Sequence, residues 1–369
     1  MVVPLSDIRV IDMATVLAGP SCAKYLADFG ADVIKVERPG GDATRRMGWR
    51  HEADDVAYMW KHLGRGKRNI VLDLRDPDDL ELMFRMCESA DVLVENLRPG
   101  KLDALGLTAA ALHERQPGLV ITRLSGFGQT GPYASRPGFA TLAEAMSGFA
   151  SINGEADGPP LLPPIALTDE VAGLAAAFAT MVALHSGVGQ EVDVNLLESM
   201  FQMMGPLISA YVHCGYVQPR FGSGIPYSVP RSNYEASDGV WIAVSTSSDA
   251  VAARVMALIG FGDEERFTSF EGRVAAREEI DARMAEWIGS RPASEVLAAF
   301  EQAEAAAAPV MTMADIEADP HYREREIFRT VDGVTMQGLI ARLSATPGQI
   351  RWAGRALGAD TDEIREEFS

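Results

Sequence analysis

Short β-branched runs alternate with helical stretches through the first 130 residues, and this alternation restricts the fold more than any other feature of the sequence. Ile8 to Asp12, Asp32 to Glu37, Asn69 to Leu74, Asp91 to Glu95 and Leu119 to Leu124 read as buried strands. A helix is expected from about Ser21 to Phe29, after the break at Ala18-Gly19-Pro20-Ser21, with further helical segments between the later strands. Strands that return through helices pair in parallel and are covered on both faces, because each parallel crossover needs a helix to carry the chain back. The expected class is therefore α/β.

From about Thr141 to Gly187 small residues dominate. Ala172, Gly173, Ala175, Ala176, Ala177 and Ala179 fall within one stretch and predict a closely packed helix pair. Gln190 to Val194 reads as a strand and Leu196 to Met204 as a helix whose Met200, Met203 and Met204 suit either the core or an acyl pocket. Pro219, Gly222, Gly224, Pro226 and Pro230 mark Gln218 to Asp238 as a loop and a boundary. Val240 to Val244 then reads as a strand, followed by acidic, Ala-rich helices to about Ala308. The expected organisation is a large domain over 1–205 completed by 325–369, a small α/β domain over 225–315, and linkers at 206–224 and 316–324. No internal repeat or low-complexity tract is present.

Charge narrows the ligand class. The chain of 369 residues carries 33 Lys and Arg against 52 Asp and Glu, a net charge of −19, which disfavours nucleic acid or an anionic membrane as partner. Residues 1–101 hold 15 of the basic and 17 of the acidic residues, leaving 18 and 35 for the rest, so a polyanionic ligand belongs on the N-terminal third. There Lys35, Arg38, Arg45, Arg46, Arg65, Lys67, Arg68, Arg98 and Lys101 lie near the strand ends, where open parallel sheets bind ligands. As a set they favour a phosphate-bearing molecule. The longest nearly apolar run, Val171 to Leu184, falls short of the roughly 20 residues of a membrane span, and Asp7 and Arg9 do not form a signal segment, so a cytoplasmic location is expected. Cys22, Cys87 and Cys214 are odd in number and widely spaced, which suggests reduced, buried thiols rather than disulfides or a zinc knuckle.

Few residues offer chemistry. Gly126-Phe127-Gly128-Gln129-Thr130-Gly131 matches a dinucleotide fingerprint literally, but Pro132 and Arg136-Pro137-Gly138 follow where a helix should open. A loop that admits another backbone or a thioester carbonyl is the better physical reading. The six histidines are scattered, so no metal site can be assembled, and no G-x-S-x-G elbow occurs. Asp169, in Ala166-Leu167-Thr168-Asp169-Glu170, opens the Ala-rich helix. The ordinary role of an aspartate there is a helix N-cap.

Several segments together resemble one family, the class III CoA-transferases, including its racemase branch. The resemblance is carried by Val16-Leu17-Ala18-Gly19-Pro20, by Leu26 through Pro39, and by Gly66-Lys67-Arg68-Asn69-Ile70-Val71-Leu72-Asp73-Leu74. It continues in Glu95-Asn96-Leu97-Arg98-Pro99-Gly100, Ser125-Gly126-Phe127-Gly128, Arg136-Pro137-Gly138-Phe139, Gly189 to Val194, Ala308-Pro309-Val310 and Leu357 to Thr361. It implies a Rossmann-like large domain built from both ends of the chain, a smaller domain between them, and two chains interlocked as rings in a homodimer. It implies acyl-CoA and a carboxylic acid as substrates, with no metal and no tightly bound cofactor. Asp169 matches the family's nucleophile and Arg38 its nucleotide-anchoring arginine. Val16, Leu72, Asn96, Leu97, Arg98, Lys101 and Leu105 match the CoA cleft. Leu17, Gly126, Phe127, Gly128, Phe139 and Ala140 match the acyl pocket and oxyanion region, for which Gly222-Ser223-Gly224 is a second candidate. Ala140 stands where relatives often carry an acidic residue and Leu17 where formyl-CoA transferase is polar, which points to an acyl group larger than formate or oxalate. The alternatives are a racemase or another CoA-ester isomerase, the racemase's histidine being replaced here by Phe139 with no other histidine between His113 and His185, and a catalytically silent CoA-binding protein.

Overall fold

The computed structural model describes residues 3–369. Two compact units are present: one holds the residues up to Phe149, Leu162–Gly205 and His321–Ser369, the other Ala150–Leu161 and Pro206–Pro320. In the first unit β1 (Arg9–Asp12), β2 (Asp32–Glu37), β3 (Arg68–Val71), β4 (Val92–Glu95), β5 (Val120–Ser125) and β6 (Gln190–Asn195) form one parallel sheet. Its order, β3-β2-β1-β4-β5-β6, reverses direction between β1 and β4, and such a reversal opens a crevice beyond the carboxyl ends of those two strands. The chain is α/β, as the alternation predicts.

The strands are apolar on both faces because both are covered. Val10, Val33, Val92 and Val120 pack against Ala-rich helices, whereas Ile11, Ile34, Ile70 and Leu93 pack against Leu82, Met83 and Met86. On the first face the Leu167–Ser186 helix lies directly on the Ala18–Asp28 helix. A Cβ on Gly173 would come within 2.8 Å of Ser21 Cβ and 2.9 Å of the Ala18 carbonyl oxygen, so glycine permits the approach. Thr180 Oγ1 also meets Thr122 Oγ1 of β5 at 2.7 Å. This helix spans 20 residues, more than the run Val171 to Leu184, and by length and composition alone is long and apolar enough to cross a membrane. Helical geometry continues through polar Thr168 and His185 at its two ends.

The Ala18–Asp28 helix starts three residues earlier than expected, since Pro20 sits in a first turn where its missing N–H has no helical partner to lose. In the second unit β7 (Arg231–Glu235), β8 (Trp241–Ser245) and β9 (Ala306–Pro309) form an antiparallel sheet. Two of these strands contradict the sequence reading. β7 lies within the proline- and glycine-rich stretch, and β9 is an alanine run ending in proline at a sheet edge, where edge pairing overrides helix propensity. Ile242 and Val244 cover Val255, Met284, Ile288 and Phe300 to make this unit's core.

The boundaries also shift. Residues 206–224 are not a linker: they hold the Leu207–Cys214 helix, and Arg220 donates to the carbonyls of Glu155 (3.0 Å) and Gly158 (2.6 Å), which brings 150–161 into the same unit. At the other end, β10 (Phe328–Val331) and β11 (Val334–Gln337) form a hairpin. Arg65, paired with Asp28 at 2.9 and 2.5 Å, reaches the Gln337 carbonyl, and Asp360 accepts the Asn69 N–H at 2.9 Å. Ile364 and Phe368 then enter the core below the sheet. Cys22 and Cys87 are buried and free, but Cys214 is exposed, contrary to expectation.

Gly173→Ala tests the helix contact. Relieving glycine's flexibility in a helix ordinarily gains about 0.5–1 kcal/mol, yet the rigid Ala18 carbonyl should turn this into a loss of about 1–3 kcal/mol, as in other overpacked sites. Urea unfolding measures it, and unchanged or increased stability would contradict the contact.

Candidate active site

The loops that follow β1 and β4 meet at the sheet's reversal. Asn96 accepts the Thr15 N–H at 2.7 Å and donates to the Thr15 carbonyl at 2.6 Å, while Asp42 accepts the Val16 N–H at 3.2 Å. Together they hold Val16 at φ 65°, a conformation that β-branched residues rarely adopt. Thr15 and Val16 are shared by two clefts. The first, of about 350 Å³, is lined by Arg38, Leu72, Leu97 and Leu105 among others. The second, of about 240 Å³, is lined by Leu17, Asn96, Arg98, Gly126, Phe139, Ala140 and Asp169. Of the expected site residues, Lys101, Phe127 and Gly128 line neither cleft. Lys101 is exposed at the start of a short helix, and Phe127 packs edge-on against Tyr133. Met200 is buried in the core and Met203 is exposed, so the methionines do not form an acyl wall.

The basic set separates into two groups. Lys35 and Lys67 are buried on Asp12, Arg45 grips Glu37 with two bonds of 2.7 and 2.6 Å, Arg65 is held by Asp28, and Arg68 by Asp32 and Glu367. These are structural pairs, which corrects the reading of the whole set as phosphate ligands. Arg38, Arg46, Arg98 and Lys101 are exposed and make no ion pair among the described residues.

Asp169 is not the cap of its helix. The N-cap position is Ala166, and Asp169 is the third helical residue, with no hydrogen bond or ion pair to its carboxylate among the described residues. Burial, with the charges of Glu144 and Glu170 behind it, pushes its carboxyl up to about 6. Glu144 is buried and accepts a hydrogen bond from Thr168 Oγ1 at 3.0 Å. Glu170 accepts from Ser21 Oγ at 2.8 Å and Tyr25 OH at 2.7 Å, with Lys24 at 3.5 Å. Neither glutamate stood out in the sequence. The available signals were the lone charge of Glu144 in an otherwise apolar Ala-Thr-Leu-Ala-Glu-Ala-Met turn and the adjacency of Glu170 to Asp169.

Two helices open at this second cleft, at Ala18 and Ala140, and neither has a side chain bonded over its first N–H groups; a third, opening at Leu167, places Asp169 of its first turn there. Such ends favour anions. Gly126 also lines the cleft, its backbone pressed so close to that of Gly138 that a Cβ would sit 2.5 Å from the Gly138 Cα. The Gly128 N–H is already bonded to Ser125 Oγ at 2.9 Å, which removes it as an oxyanion donor. In the second unit Ser223 accepts from Asn233 Nδ2 at 3.0 Å through its hydroxyl. Among the described residues no histidine lines the cleft of Asp169; Phe139 does, two-thirds exposed.

The family model for CoA-transferase family III matches residues 5–361. The chain belongs to this family. This family III CoA-transferase is 37% identical to a succinyl-CoA–D-citramalate CoA-transferase of Chloroflexus aurantiacus, over 98% of this chain and 93% of that protein. It is 34% identical to a succinate–glutarate CoA-transferase of Agrobacterium fabrum, over 99% and 96%. A CAIB/BAIF family protein from Brucella suis superposes with a TM-score of 0.88 at 31% identity, each chain covered completely.

An Asp169 carboxyl raised to about 6 is easier to keep protonated in the folded protein than in the unfolded chain, so wild type loses stability as pH rises from about 4 to about 6. Asp169→Asn escapes that loss. It should be more stable than wild type at pH 7, by at most about 3 kcal/mol, with the advantage gone near pH 4. Denaturant titrations at the two pH values measure this; a destabilised Asn variant at pH 7 would show that Asp169 is held as a structural anion.

Proposed function

We propose that this family III CoA-transferase moves CoA between short dicarboxylic acids, with Asp169 as the covalent nucleophile. The observation that carries the reading is an unpartnered, part-buried carboxylate at the crevice of a doubly wound sheet, beside a second cleft that carries its own free arginine. At neutral pH the group is ionised yet poorly stabilised, the condition of an activated nucleophile.

The Asp169 carboxylate attacks the thioester carbonyl and expels CoA thiolate, which leaves an acyl–aspartyl anhydride. The thiolate then attacks the aspartyl carbonyl, releasing the donor acid and forming an aspartyl thioester. The acceptor carboxylate attacks that thioester to give a new anhydride and free thiolate once more. The thiolate finally attacks the acceptor's carbonyl, yielding the new acyl-CoA and restoring Asp169. Each step passes through an oxyanion, and the helix starts at Ala18 and Ala140, which line the cleft without a side-chain cap, are the candidate N–H donors to that charge. Arg38 supplies a cation for a phosphate of CoA, and Leu72, Leu97 and Leu105 supply apolar wall. With Phe139 in place of a histidine, the acid–base pair of a racemase is incomplete in this cleft.

Two observations support the substrate class. The relatives above are named for succinate, citramalate and glutarate, all short dicarboxylates. The acyl cleft of about 240 Å³ is also below the roughly 300–1,000 Å³ of drug-sized sites. A homodimer completes the reading. The Leu207–Cys214 helix is apolar yet buries none of its residues, with Ile208, Tyr211 and Val212 exposed beside Val217, and such a patch is ordinarily covered by another chain.

Asp169→Asn should abolish transfer while still binding CoA, and wild-type kcat/KM should fall about tenfold per pH unit below about 6, where the nucleophile becomes protonated. Near-normal turnover by the Asn variant would remove Asp169 from the chemistry. Sedimentation should give a dimer across the accessible concentration range; a monomer would leave the Leu207–Cys214 face unexplained and overturn the assembly.

A further inference from the structure

We infer that Arg98 is the specificity-determining residue that grips the non-reacting carboxylate of the acyl group, an inference that rests on the dicarboxylate reading above. Arg98 is the single cation among the residues lining the cleft of Asp169; apart from these two charges the lining is neutral. Its guanidinium has no ion pair or side-chain hydrogen bond among the described residues, whereas Arg45, Arg65 and Arg68 are each committed to carboxylates. The adjoining cleft contains Arg38 and so does not need Arg98 to hold a phosphate.

The backbone beneath Arg98 is fixed. Asn96 is clamped to Thr15, the Leu97 N–H donates to Glu95 Oε2 at 2.7 Å, and the Lys101 N–H donates to the Arg98 carbonyl at 2.9 Å. A free arginine on a fixed loop faces the same space as the reactive carboxylate. A dicarboxylate entering a cleft that already carries the negative Asp169 requires a compensating cation at the end remote from the chemistry. The planar guanidinium fork binds a carboxylate with two parallel hydrogen bonds, which no other group in the cleft can offer. Substrate length is then read as the span from that fork to Asp169.

The test uses each acid's exchange with its own thioester, so that one acid is examined at a time. Labelled succinate is exchanged into succinyl-CoA, and labelled butyrate, which replaces the distal carboxylate by a methyl group, into butyryl-CoA. The readout is the ratio of the two kcat/KM values, followed by mass spectrometry on the full-length protein. Wild type should prefer succinate, and Arg98→Gln should lower the ratio about 10–100-fold, the range for hydrogen bonds to a charged group. Arg98→Lys, which keeps the charge without the fork, should fall between them and carries the test if the Gln variant melts. Arg38→Ala should slow both exchanges and leave the ratio in place. A ratio retained in both Arg98 variants overturns the assignment: equal losses for the two acids would move Arg98 to CoA, and no loss would remove it from the site. If wild type itself shows no preference for succinate, the dicarboxylate reading fails and this inference with it.

Discussion

The site depends on a buried charge cluster at the carboxyl end of β1. Asp12, Lys35 and Lys67 are all essentially inaccessible to water. Lys67 donates to Asp12 Oδ2 at 2.7 Å, and Lys35 lies 3.4 Å from Oδ1. Burial alone would raise the Asp12 carboxyl, but the two ammonium groups hold it below its usual range. Two cations on one carboxylate leave an excess positive charge in the interior, which is tolerable only if further acceptors meet it. The Ala14 carbonyl accepts from Lys35 and the Pro20 carbonyl from Lys67, while the Ala14 N–H returns to Asp12 at 3.1 Å. The chain between residues 14 and 20 is therefore tied down at both ends. Between those ties lie Thr15, Val16 and Leu17, which wall the clefts, and the start of the helix on which the Asp169 helix rests.

A fixed floor explains how a strained residue and an unpaired carboxylate coexist beside it. Val16 can remain at positive φ because Asn96 and Asp42 occupy the backbone groups around it. Buried carboxylates elsewhere in the first unit are all engaged: Asp28 has Arg65, Glu37 has Arg45, Glu144 accepts from Thr168 and Asp42 from Thr44. Asp169 differs in having no partner for its carboxylate among the described residues, with the charges of Glu144 and Glu170 opposing its anion. Poor stabilisation of a residue at a crevice is the usual mark of function rather than of folding.

The sheet was legible in the sequence because β1 to β5 are β-branched runs buried on both faces, and parallel order followed from the helices between them. Arg38, Leu72, Leu97 and Leu105 in one cleft, and Asp169, Phe139 and Ala140 in the other, were found through family motifs. Chemistry alone reads Asp169 as a helix cap. The rest depended on tertiary partners. Nothing in the local sequence distinguishes Lys67, spent on Asp12, from Arg38, which is free, because the deciding carboxylate lies 55 residues away along the chain. β9 is hidden for a related reason: an alanine run carries helix propensity, and only pairing with β8 makes it a strand. The positive φ of Val16 was equally invisible, since turn chemistry predicts glycine at such a position.

The covalent role of Asp169 has a consequence that no structural role shares. In the proposed cycle the acceptor's carboxylate oxygen becomes the anhydride bridge and stays on Asp169 when thiolate takes the acyl group. The most direct measurement is therefore to turn the enzyme over with an acyl-CoA and heavy-oxygen-labelled succinate, remove the substrates, and weigh the peptide containing Asp169. The account predicts heavy oxygen in the Asp169 carboxylate, at a level that grows with the number of turnovers and needs the acyl-CoA to be present. Full turnover with an unlabelled Asp169 would contradict it.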